Sequence, residues 1–133
     1  MTKEEFDAWD NSEKSSLYTM VRRDDDGKLM TIPYHEYFVK HHEAAAGYLA
    51  EAAELAQEPG LKKYLTLRAK ALRDGSYNDS DRAWLDMRDN AVDIVIGPIE
   101  NYEDALFGAK AAHEAYVLVK DQSWSKRLAR YST

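Results

Sequence analysis

The sequence contains no cysteine. Disulfides, thiolate metal sites and thiol nucleophiles are therefore excluded, and such a composition suits a reducing compartment, so we expect a cytoplasmic protein. No apolar run approaches the ~20 residues that a membrane-spanning helix needs. The acidic start MTKEEFDAWD lacks the basic and apolar blocks of a signal peptide. We expect no membrane partner.

Basic residues are also too few for a nucleic-acid partner. The chain has 24 acidic and 18 basic residues and a formal net charge of -6. No stripe of Lys and Arg is interleaved with aromatic residues, and this argues against binding to nucleic acid. With 133 residues, of which 44% are hydrophobic, the chain is long enough for one unit with a core of its own.

The stretch YHEYFVKHHE raises the question of a zinc site, because it holds three histidines and two glutamates. In a zinc-binding helix, two His residues four positions apart share one face. The fourth residue after His35 is Val39, and the fifth is Lys40. His35 and His42 lie two helical turns apart, roughly 10 Å, which is too far to share a zinc directly. Between a metal site and a solvated helix face, the spacing favours the solvated face, and we predict no metal ligand in this chain.

The middle of the chain, residues 31–74, predicts a helical hairpin. A first helix runs from Thr31 to the Pro59-Gly60 pair, and a second occupies residues 61–73 before Asp74-Gly75. Apolar residues recur at helical spacing along the first helix, namely Tyr34, Phe38, Ala45, Leu49, Ala52 and Leu55.

The two flanking regions are less regular. Residues 1–30 predict a short helix and a hairpin or tight loop at Asp26-Gly27. Residues 79–133 predict a short helix through Trp84, one strand over 92–99, a helix over 104–119 and a last helix that Asp121 or Ser123 caps. We therefore predict a mainly α fold with a single isolated strand. That strand has no ladder partner, and unpaired buried backbone groups are costly.

The stretch from SDRAWLDMRD through VDIVIGPIENYEDALFGAKAAHEAYVLVKDQSWSKRLARY resembles the dipeptidyl peptidase III family of zinc metallopeptidases. IGPIENYED followed by LFGAKAAHEA is the most specific part of this resemblance, which extends upstream through KKYLTLRAKALRDGSY and IPYHEYF. The sequence looks closest to the bacterial and plant branch, in which such a domain is sometimes joined to a Nudix domain. The resemblance implies that residues 1–133 form part of a larger α+β peptidase fold with two lobes.

The family's catalytic apparatus is absent from the sequence. The resemblance implies an H-E-x-x-G-H helix and an E-E-x-x-A-E helix that together hold a zinc ion, and neither motif occurs here. We expect the chain to be an excised or truncated piece that ends before the zinc helix, with zinc bound elsewhere in the parent. The partners this implies are the remainder of the parent peptidase and a peptide substrate. The isolated strand would then pair with that remainder.

Three residues are candidate substrate-binding groups by resemblance. Asp93 matches a carboxylate that meets the N-terminal ammonium of the peptide, although it could also be a strand-start residue satisfied by backbone. Glu100 and Tyr102 are similar candidates, and either could simply hold the turn after the strand. Val95 departs from the family pattern, because members outside this branch carry Tyr there. His113 is expected to be a packing residue on a helix.

A second hypothesis is a stand-alone helical module, descended from that family, that binds a peptide or protein partner without catalysis. A reading frame that continues past Thr133 into H-E-x-x-G-H would favour the first hypothesis. Under either hypothesis, the unpaired strand at 92–99 predicts self-association of the isolated chain as a homo-oligomer.

Overall fold

The chain folds into helices and two small antiparallel sheets, and the computed structural model describes residues 1–88 and 90–131. The elements in chain order are α1 (Lys3–Ala8), β1 (Thr19–Arg23), β2 (Leu29–Pro33), α2 (Tyr34–Tyr37), α3 (Val39–Leu55), α4 (Pro59–Asp74), α5 (Asn78–Asp86), β3 (Val92–Glu100), β4 (Ala112–Val119), α6 (Gln122–Leu128) and a 3-10 turn (Ala129–Tyr131).

Helices α3 and α4 form the predicted helical hairpin and supply most of the core. The buried core residues are Ala46, Leu49, Ala53, Leu61, Tyr64, Leu65, Ala69, Ala71, Leu72, Tyr77 and Ala83. On α4 they recur at three- and four-residue intervals, so one face of the helix is buried. Gly75 ends α4 in the left-handed conformation, with φ of 76°, which only glycine adopts at little cost.

The predicted boundaries of the first helix were wrong at both ends. Thr31 lies in β2, opposite Val21, and helix begins only after Pro33. At the other end α3 stops at Leu55, and Pro59 is the first residue of α4 rather than a terminator. The missing N–H of proline costs nothing in the first helical turn, so Pro59 is well suited to begin a helix.

Strands β1 and β2 form the hairpin predicted around Asp26-Gly27. They pair in antiparallel register from Thr19 opposite Pro33 to Arg23 opposite Leu29. Gly27 takes a φ of 80° in the turn, a conformation that favours glycine.

The predictions of an isolated strand at 92–99 and of a helix over 104–119 were both wrong. Residues 112–119 form β4, which pairs antiparallel with β3 from Val92 opposite Val119 to Glu100 opposite Ala112. The alanines of AKAAHEA favour helix, but the following run Tyr116–Val119 is β-branched and aromatic and suits a pleated ladder. Pairing also satisfies the backbone of β3, and this tertiary gain overrides the local preference. We call this two-stranded sheet the β3–β4 ribbon.

The ribbon lies against the helical hairpin through one face of β3. Val92, Ile94 and Ile96 are partly buried against the core, whereas β4 is mostly exposed. Beyond it, α6 begins at Asp121, whose side chain accepts hydrogen bonds from the N–H groups of Ser123 and Trp124. Of the two predicted caps, Asp121 and Ser123, the structure has Asp121.

Helices make up about 48% of the described residues and strands 21%, so the fold is less purely helical than the sequence predicts. Within residues 1–88 and 90–131, no helix combines the length and apolar character needed to cross a membrane.

Candidate functional site

A groove lies between α4, α5 and β3. Its volume is about 310 Å³ and its lining residues are Tyr18, Tyr64, Arg68, Asp81, Trp84, Leu85, Val95, Pro98 and Ile99. Three of these are aromatic and four are aliphatic or proline, and a single ion pair supplies the charge. A mostly apolar concave surface with a few fixed polar groups is typical of a ligand site.

The charged group in the groove is Arg68, which is only 3% exposed. Its guanidinium pairs with the carboxylate of Asp81. It also lies 5.5 Å from the ring centre of Tyr64 and 5.3 Å from that of Tyr77. A buried cation is tolerated only when it is paired, and the two aromatic faces add a further favourable contact. Arg68 therefore has a fixed position at the base of the groove.

Tyr77, beside Arg68, is a packing group rather than an acid or base. Burial raises the pKa of Tyr77 to about 12, against the opposing effect of the Arg68 guanidinium. The phenol therefore stays protonated at neutral pH. Among the residues that the structure describes, its hydroxyl has no hydrogen-bond partner.

Gly97 allows β3 to approach this buried cluster. It has a φ of 125°, and a Cβ at this position would lie 3.3 Å from Nη1 of Arg68 and 3.5 Å from Cε1 of Tyr77. A side chain would therefore face both an unfavourable backbone conformation and a tight contact.

We expect Gly97→Ala to lower the free energy of unfolding by about 2 kcal/mol, because the strained φ and the displacement of Arg68 add together. Urea denaturation followed by circular dichroism measures this. Gly47→Ala is the matched control, since Gly47 lies inside α3 with open space around its Cβ position. There we expect stabilisation of about 0.5–1 kcal/mol. Equal effects of the two substitutions would show that Gly97 is not required for the approach of β3.

Asp93 lies near the start of β3, at the rim of the groove. Its Oδ1 accepts a hydrogen bond of 2.9 Å from Nε1 of Trp84, one of the groove residues. Asp93 and Val95 project from the same face of the strand because side chains alternate. The indole thus fixes one carboxylate oxygen of Asp93 beside the groove.

Glu100 and Tyr102 lie at the opposite end of β3. The seven-residue separation of Asp93 and Glu100 corresponds to roughly 23 Å of strand. Tyr102 is 70% exposed, and the charges of Glu100 and then Glu114 raise the pKa of its phenol. The three predicted site residues are therefore not brought together: Asp93 lies near the start of β3, and the other two lie near Glu114 at the opposite end.

The histidines of the stretch 34–43 have separate surroundings. His35 lies against Gly75 at the end of α4. A Cβ added to Gly75 would lie 2.8 Å from Nδ1 of His35. Nδ1 of His42 instead lies 2.7 Å from the carbonyl oxygen of Leu72, and its Nε2 lies 2.8 Å from Nε2 of His113. In the described part of the chain, no group of three or more His, Asp or Glu side chains could hold a metal ion. The described residues do not fit a zinc centre.

We therefore expect no tight, stoichiometric zinc binding by the 133-residue chain, because two imidazoles alone make an incomplete ligand set for zinc. Calorimetric titration with zinc measures this. A single tight site lost in a His35→Ala, His42→Ala double variant would contradict the prediction.

The sequence analysis missed Arg68, and it placed His113 wrongly on a helix, whereas that residue lies on β4 and contacts His42. Each acquires its role from residues remote in the chain, and no local motif marks either of them. For Arg68, a lone arginine among the apolar positions of α4 was the only available signal.

Comparison with known proteins shows similarity over nearly the whole chain. The model of peptidase family M49 matches residues 2–132. The chain is similar to a structure of DPP III from Caldithrix abyssi, with 46% identity, a TM-score of 0.91 and coverage of 98% of this chain. It is also similar to a dipeptidyl-peptidase III from Corallococcus sp. strain EGB, with 36% identity, a TM-score of 0.87 and 99% coverage. Nudix hydrolase 3 of Arabidopsis thaliana is 38% identical over 112 residues, or 84% of this chain.

These relatives are much longer than this chain. It spans 26% of each of the two solved structures and 14% of Nudix hydrolase 3.

Proposed function

Because the chain belongs to peptidase family M49, we propose that it is the non-catalytic part of a zinc-dependent dipeptidyl peptidase III-like enzyme. In this proposal β3 and its groove form one wall of the peptide-binding cleft. The observation that carries it is the position of Asp93, a carboxylate fixed by Trp84 at the rim of an apolar groove.

The strand itself supports a role in binding an extended peptide. Among the described residues β3 pairs only with β4, so its second edge has no strand partner. An extended peptide adds to such an edge through main-chain hydrogen bonds, while pockets beside the edge select alternate side chains. The groove offers such a pocket for an apolar or aromatic side chain.

Asp93 would receive the N-terminal ammonium of the peptide. A carboxylate and an ammonium form a charge-assisted hydrogen bond, which is stronger than a neutral one. Such a contact fixes how many residues lie between the peptide's free N-terminus and the bond that is cut, as an enzyme that releases dipeptides requires. Glu100 and Tyr102 would contact more distant parts of the substrate.

Catalysis would depend on the remainder of the parent peptidase. Neither zinc motif occurs in the sequence, and the described residues do not fit a zinc centre. We therefore assign zinc, the attacking water and its base to the other part, and peptide positioning to this one. The cysteine-free composition supports a reducing compartment, so we place the parent in the cytoplasm.

A chimera tests this proposal. The matching quarter of the Caldithrix abyssi protein is replaced by this chain, and hydrolysis of a peptide with a free N-terminus is measured with zinc present. We expect the chimera to hydrolyse the peptide. Asp93→Asn in the chimera should lower kcat/KM at least about tenfold, which is ~1.4 kcal/mol of lost charge pairing.

Two controls make the result specific. Asp86→Asn removes an exposed carboxylate of the same helix that carries Trp84, and it should leave kcat/KM unchanged. An N-acetylated peptide has no ammonium, so its slower hydrolysis should not respond to Asp93→Asn. A folded, zinc-loaded chimera with no hydrolysis, or equal effects of the two substitutions, would contradict the proposal.

The alternative is a stand-alone module that binds a partner without catalysis. It is favoured by the exposed apolar surface of β4 and α6, where Val117, Val119 and Trp124 are 68%, 79% and 57% exposed. Contiguous apolar surface of this kind marks an interface. The parent's remainder would cover it under the first proposal, and an inactive chimera would favour the second.

A further inference from the structure

Two imidazoles from distant parts of the sequence meet between the helical hairpin and the β3–β4 ribbon. Nε2 of His42 on α3 lies 2.8 Å from Nε2 of His113 on β4. Nδ1 of His42 lies 2.7 Å from the carbonyl oxygen of Leu72 on α4. This histidine pair thus joins three elements through two hydrogen bonds.

The contacts determine the tautomers of both rings. A carbonyl oxygen only accepts, so Nδ1 of His42 must carry its proton. In the neutral ring, Nε2 of His42 is then the acceptor, and Nε2 of His113 must be the donor. The order of donation runs from His113 to His42 and from His42 to Leu72.

The surroundings of the histidine pair disfavour positive charge. His42 is only 4% exposed, and the ring centre of His113 lies 5.1 Å from those of Tyr34 and Phe38. Among the described residues, the charged or titratable groups facing the pair from neighbouring elements are Tyr34 and His35 of α2, His41 of α3 and Glu114 of β4, while α4 adds the neutral Leu72 carbonyl.

Protons affect the pair in two steps. A first proton can enter at Nδ1 of His113, and the hydrogen bond between the rings persists. A second proton must enter at Nε2 of His42, where it turns the acceptor into a donor. Two N–H groups then face each other between two cations, and the hydrogen bond is lost.

We propose that the histidine pair is a proton-sensitive link that holds the β3–β4 ribbon against the helical hairpin and releases it when both rings are protonated. Release would enlarge the cavity of about 250 Å³ that lies beside the pair and reaches Ile96 and Gly97 of β3. Only the further consequence, a pH-dependent shape of the peptide cleft, rests on the proposed function.

The direction of the pH effect follows from burial. Burial lowers the pKa of His42, with smaller contributions of the same sign from His35 and His41 and an opposing one from Leu72. Burial, and then His42, lower the pKa of His113 to about 4. A released or unfolded state has histidines that titrate near ~6.5. Stability from the pair is therefore present above that pH and declines as the pH falls toward 4.

The first test needs no variant. Long-range nitrogen–proton correlation spectra of the histidine rings give the tautomer and protonation state of each ring as the pH is lowered from 7 to 4. We expect Nδ1–H in His42, Nε2–H in His113, and protonation of both rings below the ~6.5 of a model peptide. The opposite tautomer in either ring, or ordinary titration of both, would overturn the proposal.

The second test compares hydrogen exchange in wild type and a His113→Gln variant at each pH. The glutamine amide can still donate to Nε2 of His42 but takes up no proton. Because both proteins are compared at one pH, the intrinsic pH dependence of exchange cancels. We expect equal opening of the ribbon at pH 7 and at least about tenfold more opening in the wild type at pH 4, the effect of one pKa unit. His113 is one of the exposed residues of β4, so we expect a smaller effect than its full pKa change implies.

His41→Gln is the matched control, since it removes one exposed histidine from the same helix. It should change the pH dependence of the ribbon far less than His113→Gln does, because His41 makes only a small contribution to the lowered pKa of His42. Equal ribbon opening in wild type and His113→Gln at pH 4 would show that the histidine pair is structural and not proton-sensitive. These readouts involve no peptide hydrolysis, so the proposal can fail while the proposed function holds.

Discussion

Asp81→Asn is expected to lower the free energy of unfolding by about 3 kcal/mol. Arg68 has a side chain only 4% exposed and relies on the Asp81 carboxylate for neutralisation. Removing one partner of a buried ion pair leaves an uncompensated charge, which costs ~3–5 kcal/mol. The lower end applies here because the Asp81 side chain is 50% exposed, and because Tyr64 and Tyr77 still face the cation.

Asp79→Asn is the control for this prediction. Asp79 lies in the first turn of the same helix, α5, and is exposed. Its loss should cost only the weak attraction between a carboxylate and a helix N-terminus, ~0.3–1 kcal/mol. Urea denaturation of both variants gives the comparison.

A double variant separates the charge from the packing. Arg68→Met keeps an unbranched side chain in the cavity but removes the cation, so adding Asp81→Asn to it should cost little. If Asp81→Asn has the same effect with and without Arg68, the ion pair is not what stabilises the base of the groove.

The helical hairpin was predictable because its signal is local. The apolar positions of α3 and α4 recur with helical period, and proline and glycine mark their ends. The β3–β4 ribbon was only half predictable. Residues 92–99 contain a β-branched run that predicts a strand. The segment AKAAHEA, which leads into the partner strand, has a local preference for helix, and only pairing with β3 overrides that preference.

The candidate site was likewise only partly predictable from the sequence. Asp93 was proposed by resemblance, and it accepts a hydrogen bond from the groove residue Trp84, but its role in binding stays a prediction. Arg68 was not found, because a charged residue within a helix usually indicates a solvated face. Only the approach of Asp81, thirteen residues later, and of two tyrosine rings makes its burial possible. The histidine pair joins positions 71 residues apart, and no spacing rule reaches that far.

Self-association of the isolated chain is expected through β4 rather than through residues 92–99. The sequence placed the open edge on β3, but β3 pairs with β4 along one edge, and the proposed function assigns its other edge to the peptide. Within the described residues β4 has no second partner, so its outer edge presents open backbone groups. Apolar side chains are exposed on both of its faces, with Val117 68% and Leu118 57% exposed. A strand that is apolar on both faces is normally covered on both.

Val117→Lys should weaken this association at least about tenfold. Burying a valine contributes ~1.5–3 kcal/mol, and 1.4 kcal/mol corresponds to a factor of ten in the dissociation constant. The lysine adds a charge that a paired edge would have to desolvate. Sedimentation equilibrium over a range of chain concentrations measures the change.

Leu55→Lys supplies the matched control for the β4 edge. Leu55 is 79% exposed at the end of α3, so the substitution removes a similar apolar side chain far from the ribbon. Equal weakening by both substitutions would indicate non-specific apolar contact. A wild-type chain that stays monomeric at high concentration would contradict the prediction, because open backbone groups on β4 would then not suffice for pairing. A partner that covers β4 would have to make contacts that a second copy of the chain cannot make.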